Sequence, residues 1–199
     1  MITVLLDQRT DEWMDWRRKG VTATDSTVLL GRNPYKSPLQ LWEEKTGKSI
    51  PPDLSSVKAV RFGCENEDRV RAMWEQVHGK TARPVCGEYD ANPSIRASFD
   101  GLTEEGHPVE IKCPLPDGAT LRDVRARGRA AEAFALYYVQ VQHQLLVSGA
   151  DRGRLVFLDG DNLIEFEIER DEAMIARIIE KSEAFLKCLE EDVPPDGNF

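Results

Sequence analysis

The constraint that weighs most on this chain is the order in which its hydrophobic periodicity changes. Thr10-Asp11-Glu12 reads as a cap and acidic first turn for a helix that runs through Lys19 and stops at Gly20. VTATDSTVLLG reads as a second short helix ending at Gly31. Ser37-Pro38 caps a third, LQLWEEKTG, which ends at Gly47. A proline-containing loop, KSIPPDLSS, leads into VKAVRFGCENEDRVRAMWEQVHG, a long amphipathic helix with Val60, Val70, Trp74 and Val77 near helical spacing. Three β-like runs follow, around 81–89, 95–99 and 108–112, and then an arginine-bearing loop. AEAFALYYVQVQHQLLVSG reads as a buried helix, RLVFLDG and NLIEFEIE as two alternating strands, and DEAMIARIIEKSEAFLKCLEE as a closing amphipathic helix. Helices, a strand cluster, a helix, two strands and a helix suit an α/β fold with a mixed central sheet flanked by helices.

No internal repeat or low-complexity linker breaks this order, and 199 residues suit a single domain spanning 1–199. No apolar run approaches the ~20 residues that span a bilayer. The N-terminal MITVLLDQRTDEW lacks the basic start of a secretory signal. Cys64, Cys86, Cys113 and Cys188 are scattered with no C-x-x-C pair, which argues against a zinc or iron–sulfur site and against a disulfide framework. The expectation is a reduced, cytoplasmic protein with no membrane partner. A net charge of −9 looks ill-suited to nucleic acid, but its distribution matters more. Residues 161–199 hold twelve acids and four bases, a net of −8, so residues 1–160 carry only −1. Arg17-Arg18-Lys19 and Arg122, Arg125, Arg127 and Arg129 form local basic clusters that suit phosphate or a solvated face equally well.

Within the strand cluster, VEIKCP (109–114) sets Glu110 and Lys112 on one face and Val109 and Ile111 on the other. On an exposed strand such a pair is a surface ion pair of little worth. Asp100, in SFDGL at 98–102, ends the preceding strand, and the short TEEGH lets the two strands form a hairpin that brings both carboxylates together. Two hard oxygen ligands side by side bind Mg²⁺, with Mn²⁺ as a substitute; the Ile111 carbonyl offers a third oxygen and water fills the rest. Lys112 on the same face can contact an attacking water or a scissile phosphate. This is a constellation for phosphodiester hydrolysis, although Asp-Gly is also a common hairpin turn. Glu67, in a G-x-x-x-E run from Gly63, either adds a carboxylate toward a metal or is a solvated helix acid. Gln140 and Gln144 lie i, i+4 on the apolar helix, and buried amides need partners. Gln140 could hold water or phosphate there, or bond a backbone carbonyl. His143 fits a structural histidine better than a ligand.

Taken in order, these blocks resemble the lambda-type exonuclease family, also described as YqaJ-like viral recombinases, within the PD-(D/E)xK nuclease superfamily. The resemblance covers residues 9 to 150. Trp13-x-x-x-Arg17 followed by Val21-Thr22-Ala23-Thr24 is similar to the family's W-x3-R … T-A-S motif. LWEEKTGK, RFGCENE, ASFDGL, EIKCP and YYVQVQHQLLVSG follow in the family's order and spacing. Two departures stand out: Thr24 replaces the usual serine, and His143 follows the second glutamine. The resemblance implies a restriction-endonuclease-like core in which Asp100, Glu110 and the Ile111 carbonyl bind the catalytic metal and Lys112 activates water. It further implies that Glu67 supports a second metal or the nucleophile, that Gln140 positions water, and that Arg17 and Thr24 grip the terminal 5′-phosphate. The implied activity is Mg²⁺-dependent, processive 5′-to-3′ digestion of double-stranded DNA from its ends, leaving 3′ single-stranded tails. Implied with it are a ring-shaped homotrimer and a single-strand-annealing recombinase partner, in a bacterial or phage-infected cell. Two alternatives remain: another nuclease on the same core (an endonuclease or a Cas4-like enzyme), and a DNA-end-binding protein without catalysis.

Overall fold

Caps set where the N-terminal helices start. Thr10 accepts from the Trp13 amide at 3.2 Å and opens helix α1 (Asp11–Arg18). Thr22 with Asp25, and Ser37 with Gln40, form reciprocal capping boxes for α2 (Ala23–Leu29) and α3 (Pro38–Lys45). The computed structural model describes residues 1–197. A short strand β1 (Ile2–Val4) precedes these helices, and the long helix α4 (Lys58–His78) follows them. Next come strands β2 (Ala82–Tyr89), β3 (Asn92–Thr103) and β4 (Pro108–Lys112), then helices α5 (Ala119–Arg127) and α6 (Glu132–Ser148). Strands β5 (Arg152–Asp159) and β6 (Asn162–Glu169) and helix α7 (Glu172–Glu190) complete the order.

The fold is α/β with one mixed six-stranded sheet, ordered β1-β2-β3-β4-β5-β6. Only β4 and β5 pair in parallel; every other neighbouring pair is antiparallel. A parallel step needs a crossover, and α5 and α6 make it. Alternation along β5 then divides the core. Leu155 and Phe157 pack with Val141 and Leu145 of α6, while Val156 and Leu158 pack with Val70 and Trp74 of α4. With helices on both faces, β4 is covered on both sides, and Glu110 is only 5% exposed. The pair expected on one face of VEIKCP is therefore no surface ion pair.

Four details depart from the sequence reading. Asp100 does not end its strand: β3 continues to Thr103. Gly101 suits a close approach rather than a turn, since a Cβ there would lie 2.9 Å from Ala82 Cβ. Along α4, Val60 and Val77 are exposed, and Phe62 and Met73 join Val70 and Trp74 on the packed stripe. The arginine-bearing loop is mostly helix α5, fixed by buried Leu121 and Val124. Its arginines are engaged within the chain: Arg125 with Asp159, Arg127 with Asp123, Arg122 with the Asp117 carbonyl and Arg129 with the Glu167 carbonyl. Finally, β1 gave no signal, because three residues are too short to show a period. Among the described residues no helix is long and apolar enough to cross a membrane.

Candidate active site

The site forms where the β3–β4 ladder stops. These strands share two paired positions, Gly101 with Val109 and Leu102 with Pro108. One step further, the Ile111 amide donates to Asp100 Oδ2 at 2.8 Å, so a side chain replaces the backbone acceptor. Asp100 is thereby held against the strand that carries Glu110. Glu110 Oε1 lies 2.5 Å from Lys112 Nζ, and its Oε2 accepts from Gln144 Nε2 at 2.5 Å. Lys112 also sits 4.5 Å from the centre of the Tyr137 ring.

Charge is short on one side. Burial, and then the neighbouring Glu110 carboxylate, push the Asp100 carboxyl well above the usual range; Lys112 offsets this only in part. Burial works against the Lys112 ammonium, yet Glu110 and Asp100 outweigh it and hold its pKa above that of an ordinary lysine. The two carboxylates thus favour the charged ammonium, which suits orienting and electrostatic work on a water or a phosphate. A buried and a partly buried carboxylate facing one ammonium leave a shortage of positive charge. Such a donor set, with the Ile111 carbonyl next to Glu110 on β4, fits a hard divalent cation.

Glu67 stands apart from that pair. Its Oε2 accepts from Arg9 Nη2 at 2.7 Å and its Oε1 from Arg71 Nη2 at 3.3 Å. Arg71 Nε in turn donates to the Asp100 carbonyl at 2.7 Å. Among the described residues no three His, Cys, Asp or Glu side chains form a metal-holding group.

The other wall comes from α1 and α2. The Arg17 guanidinium stacks 4.5 Å from the centre of the Trp13 ring, and Trp13 Nε1 donates to Ser98 Oγ at 2.8 Å. Gln140 Nε2 donates to Thr24 Oγ1 at 3.4 Å; Gln140 Oε1 and Gln144 Oε1 are buried without a partner. Buried Lys45 ties this wall together. Its ammonium donates to the Arg17 carbonyl at 3.1 Å and the Gly20 carbonyl at 2.7 Å, and lies 2.9 Å from Asp25 Oδ2. Burial alone would raise the Asp25 pKa, but Lys45 and the Thr22 amide reverse it and hold the carboxyl below the usual range.

A cavity of about 190 Å³ is lined by Arg17, Thr24, Glu67, Asp100, Glu110, Lys112 and Gln140. Seven residues given site roles from the sequence thus meet in one place; Ile111, expected to offer its carbonyl, is not among the lining residues. Arg9, Trp13, Ser98 and Gln144 line it too. Gln144 had drawn notice as a buried amide, but nothing in the sequence pointed to Glu110 as its partner. Arg9 and Lys45 gave no signal at all, since their partners are tertiary. His143 does not line the cavity. It is fully buried, 2.7 Å from Ser26 Oγ through Nδ1 and 2.8 Å from the Arg96 carbonyl through Nε2. A carbonyl can only accept, so Nε2 carries the proton, and burial lowers the pKa to about 4. The ring is neutral and fastens α6 to α2 and β3.

Residues 12–151 match the model of the YqaJ-like viral recombinase domain. Protein YqaJ of Bacillus subtilis (strain 168) is 32% identical over 173 residues, covering 84% of this chain and 52% of that protein. The chain spans about half the length of that curated relative. Among solved structures, an alkaline exonuclease from Laribacter hongkongensis has a TM-score of 0.74 at 24% identity, over 92% of this chain and 94% of that one. A phage-related exonuclease from Haemophilus somnus 129PT has a TM-score of 0.67 at 14% identity, over 86% and 94% of the two chains. At these identities the two structural likenesses concern the fold.

Proposed function

The chain belongs to the YqaJ-like viral recombinase family, and on that premise we propose that it is a Mg²⁺-dependent exonuclease that digests the 5′-ended strand of duplex DNA processively and leaves 3′ single-stranded tails. The observation that carries this reading is that one cavity holds both the Asp100–Glu110–Lys112 cluster and the Arg17–Thr24 wall. A site that cuts a strand near its end needs both: groups at the scissile bond and groups for the terminal phosphate. The structures of similar fold titled as exonucleases support the same direction.

Asp100, Glu110 and the Ile111 carbonyl would hold the cation, which when bound polarises the phosphoryl oxygen and acidifies a water. Gln144 and Lys112 hold the Glu110 carboxylate in orientation from two sides. Lys112, as an ammonium, stabilises the charge that builds on the phosphate and places the attacking water. Gln140, which lines the cavity and donates to Thr24 Oγ1, orients that water or the phosphate-bound Thr24 hydroxyl. Arg17 presents a planar fork to the 5′-phosphate.

Digestion of linear duplex with Mg²⁺, with EDTA, and of closed circular plasmid tests the reading, with the products sized. The expected result is acid-soluble nucleotides and a residual single strand from linear duplex only. Nicking of the circle would make it an endonuclease; binding of ends without release of nucleotide would make it an end-binding protein. The same reading includes a homotrimeric ring and a single-strand-annealing partner. A ring with its cavities inward and the acid-rich residues 161–196 outward would account for the uneven charge. Sedimentation equilibrium at a single-chain mass would remove the ring.

A further inference from the structure

Arg9 lines the cavity from an unusual backbone position, with φ at 71°. That left-handed region disfavours side chains and suits glycine. Such an outlier beside a site is a reason to ask what its side chain does. Its neighbours hold the loop in place: Gln8 Nε2 donates to the Phe99 carbonyl at 2.9 Å, and Thr10 Oγ1 donates to the Asp7 carbonyl at 2.9 Å. From there Arg9 reaches over the cavity to Glu67 Oε2 at 2.7 Å, while Arg71 takes Oε1. Glu67 thus has a guanidinium on each oxygen. The Asp100–Glu110 pair, by contrast, has one ammonium, Lys112, which bonds Glu110 and reaches Asp100 only through its field.

This difference decides where cations go. A divalent ion gains most where carboxylate charge is uncompensated, at Asp100 and Glu110. At Glu67 it would have to displace an arginine. Arg71 is the harder to displace, because it is 13% exposed and also bonded to the Asp100 carbonyl; Arg9 is 47% exposed and holds Glu67 alone.

We infer that Arg9 is a positioning residue acting through Glu67. It withholds Glu67 Oε2 from cations, so the DNA-free protein binds one divalent ion, at Asp100 and Glu110, and takes a second only when Arg9 lets go. A phosphodiester is the ligand chemistry that competes for a half-exposed guanidinium at the rim. DNA entry then releases Glu67 when it is needed. The inference rests on the reading of Asp100 and Glu110 as a cation site.

Calorimetric titration of the whole chain with Mn²⁺, without DNA, tests it on five proteins. Wild type should bind one ion tightly. Arg9→Gly, which suits the backbone at this position, should bind a second ion about 10- to 100-fold more tightly than wild type does, in the range that outer partners of metal ligands control. Arg9→Gln removes the charge on an equally side-chain-bearing backbone and should behave like Arg9→Gly. Arg9→Lys restores the charge and should return to one site. Asp100→Asn should lose the tight site. If Asp100→Asn keeps the tight site, or wild type binds no ion, the proposed cation site fails and this inference with it. If Asp100→Asn loses the site but wild type already binds two ions equally, or Arg9→Gly and Arg9→Gln match wild type, the Arg9 inference alone is overturned.

Discussion

Gln144 on α6 donates its side-chain amide to Glu110 on β4 across 2.5 Å, in a part of the core where neither side chain reaches water freely. With Lys112 on its other oxygen, Glu110 is oriented before any ligand arrives. Replacing the amide with leucine leaves a buried carboxylate half-satisfied. Gln144→Leu should therefore destabilise the protein by about 1–3 kcal/mol, the usual result of orphaning a buried polar group. A urea titration in EDTA measures this; an unchanged midpoint would mean water replaces the amide.

Lys112→Ala should lower cleavage by about 10²–10⁴-fold while DNA binding remains close to wild type and Mn²⁺ binding is not weakened, since Glu110 loses a competing cation. The lysine is expected to act on the water and phosphate, not on the cation. Single-turnover rates with saturating enzyme separate the two effects. A variant that cuts within a few-fold of wild type would remove Lys112 from the chemistry.

Asp100→Asn should raise stability while abolishing activity. The Asp100 carboxyl is raised in the folded protein by burial and by Glu110. A raised carboxyl keeps its proton in the native state after the unfolded chain has released it, so stability falls as pH climbs from the unfolded value through the folded one. Asparagine retains an oxygen for the Ile111 amide and has no charge to repel Glu110. In EDTA at pH 8 its urea midpoint should exceed that of wild type, and the gap should close near pH 4. Saturating Mg²⁺ should reverse the order, since only wild type gains from binding. A wild-type midpoint above that of Asp100→Asn in EDTA would contradict the charge shortage.

Ca²⁺ should support DNA binding without cleavage. It accepts the same oxygens at longer distances and in looser coordination, and a misplacement of ~1 Å can cost ~10²-fold. Gel-shift and digestion assays run side by side in Ca²⁺ alone provide the check; efficient digestion there counts against the site.

Arg17→Ala should lose most of a preference for 5′-phosphorylated over 5′-hydroxyl ends, and much of its processivity. Arg17→Lys should recover little, because lysine keeps the charge but not the planar fork. Each cut regenerates a 5′-phosphate, so the pocket would be refilled at every step. Two duplexes differing only at the 5′ group, digested in a single turnover, give the ratio. Full preference in the alanine variant would move the pocket to Arg18 or elsewhere.

The sequence was most legible where the chemistry is local. Thr10 and Ser37 are read as helix starts because their partners lie three residues away, and Thr22, inside VTATDSTVLLG, caps α2 over the same short span without having been singled out as a cap. Glu110 and Lys112 share a face because strands alternate, and they are joined in the fold. Asp100 was placed beside Glu110 for a sound reason, a hairpin, but with the turn put too early, because Asp-Gly imitates a turn where the strand in fact needs a small residue against Ala82. The α5 helix was missed because only Leu121 and Val124 mark its buried side. What periodicity cannot carry is any contact between elements distant in sequence. Gln144 meets Glu110 across 34 residues and Arg9 meets Glu67 across 58, and neither pair leaves a local trace.

Lys45 changes how a mutational scan of this protein has to be interpreted. It does not line the cavity, yet it binds the carbonyl of Arg17 in α1, the carbonyl of Gly20 in the turn between the helices, and the capping acid of α2, which carries Thr24. Lys45 therefore fixes the end of α1 against the start of α2. With Arg17 and Thr24 in the proposed role at the terminal phosphate, a change at Lys45 would register in assays as poor discrimination between DNA ends, although the residue does not line the cavity. Arg17 and Thr24 would be intact in such a variant and simply out of step with each other.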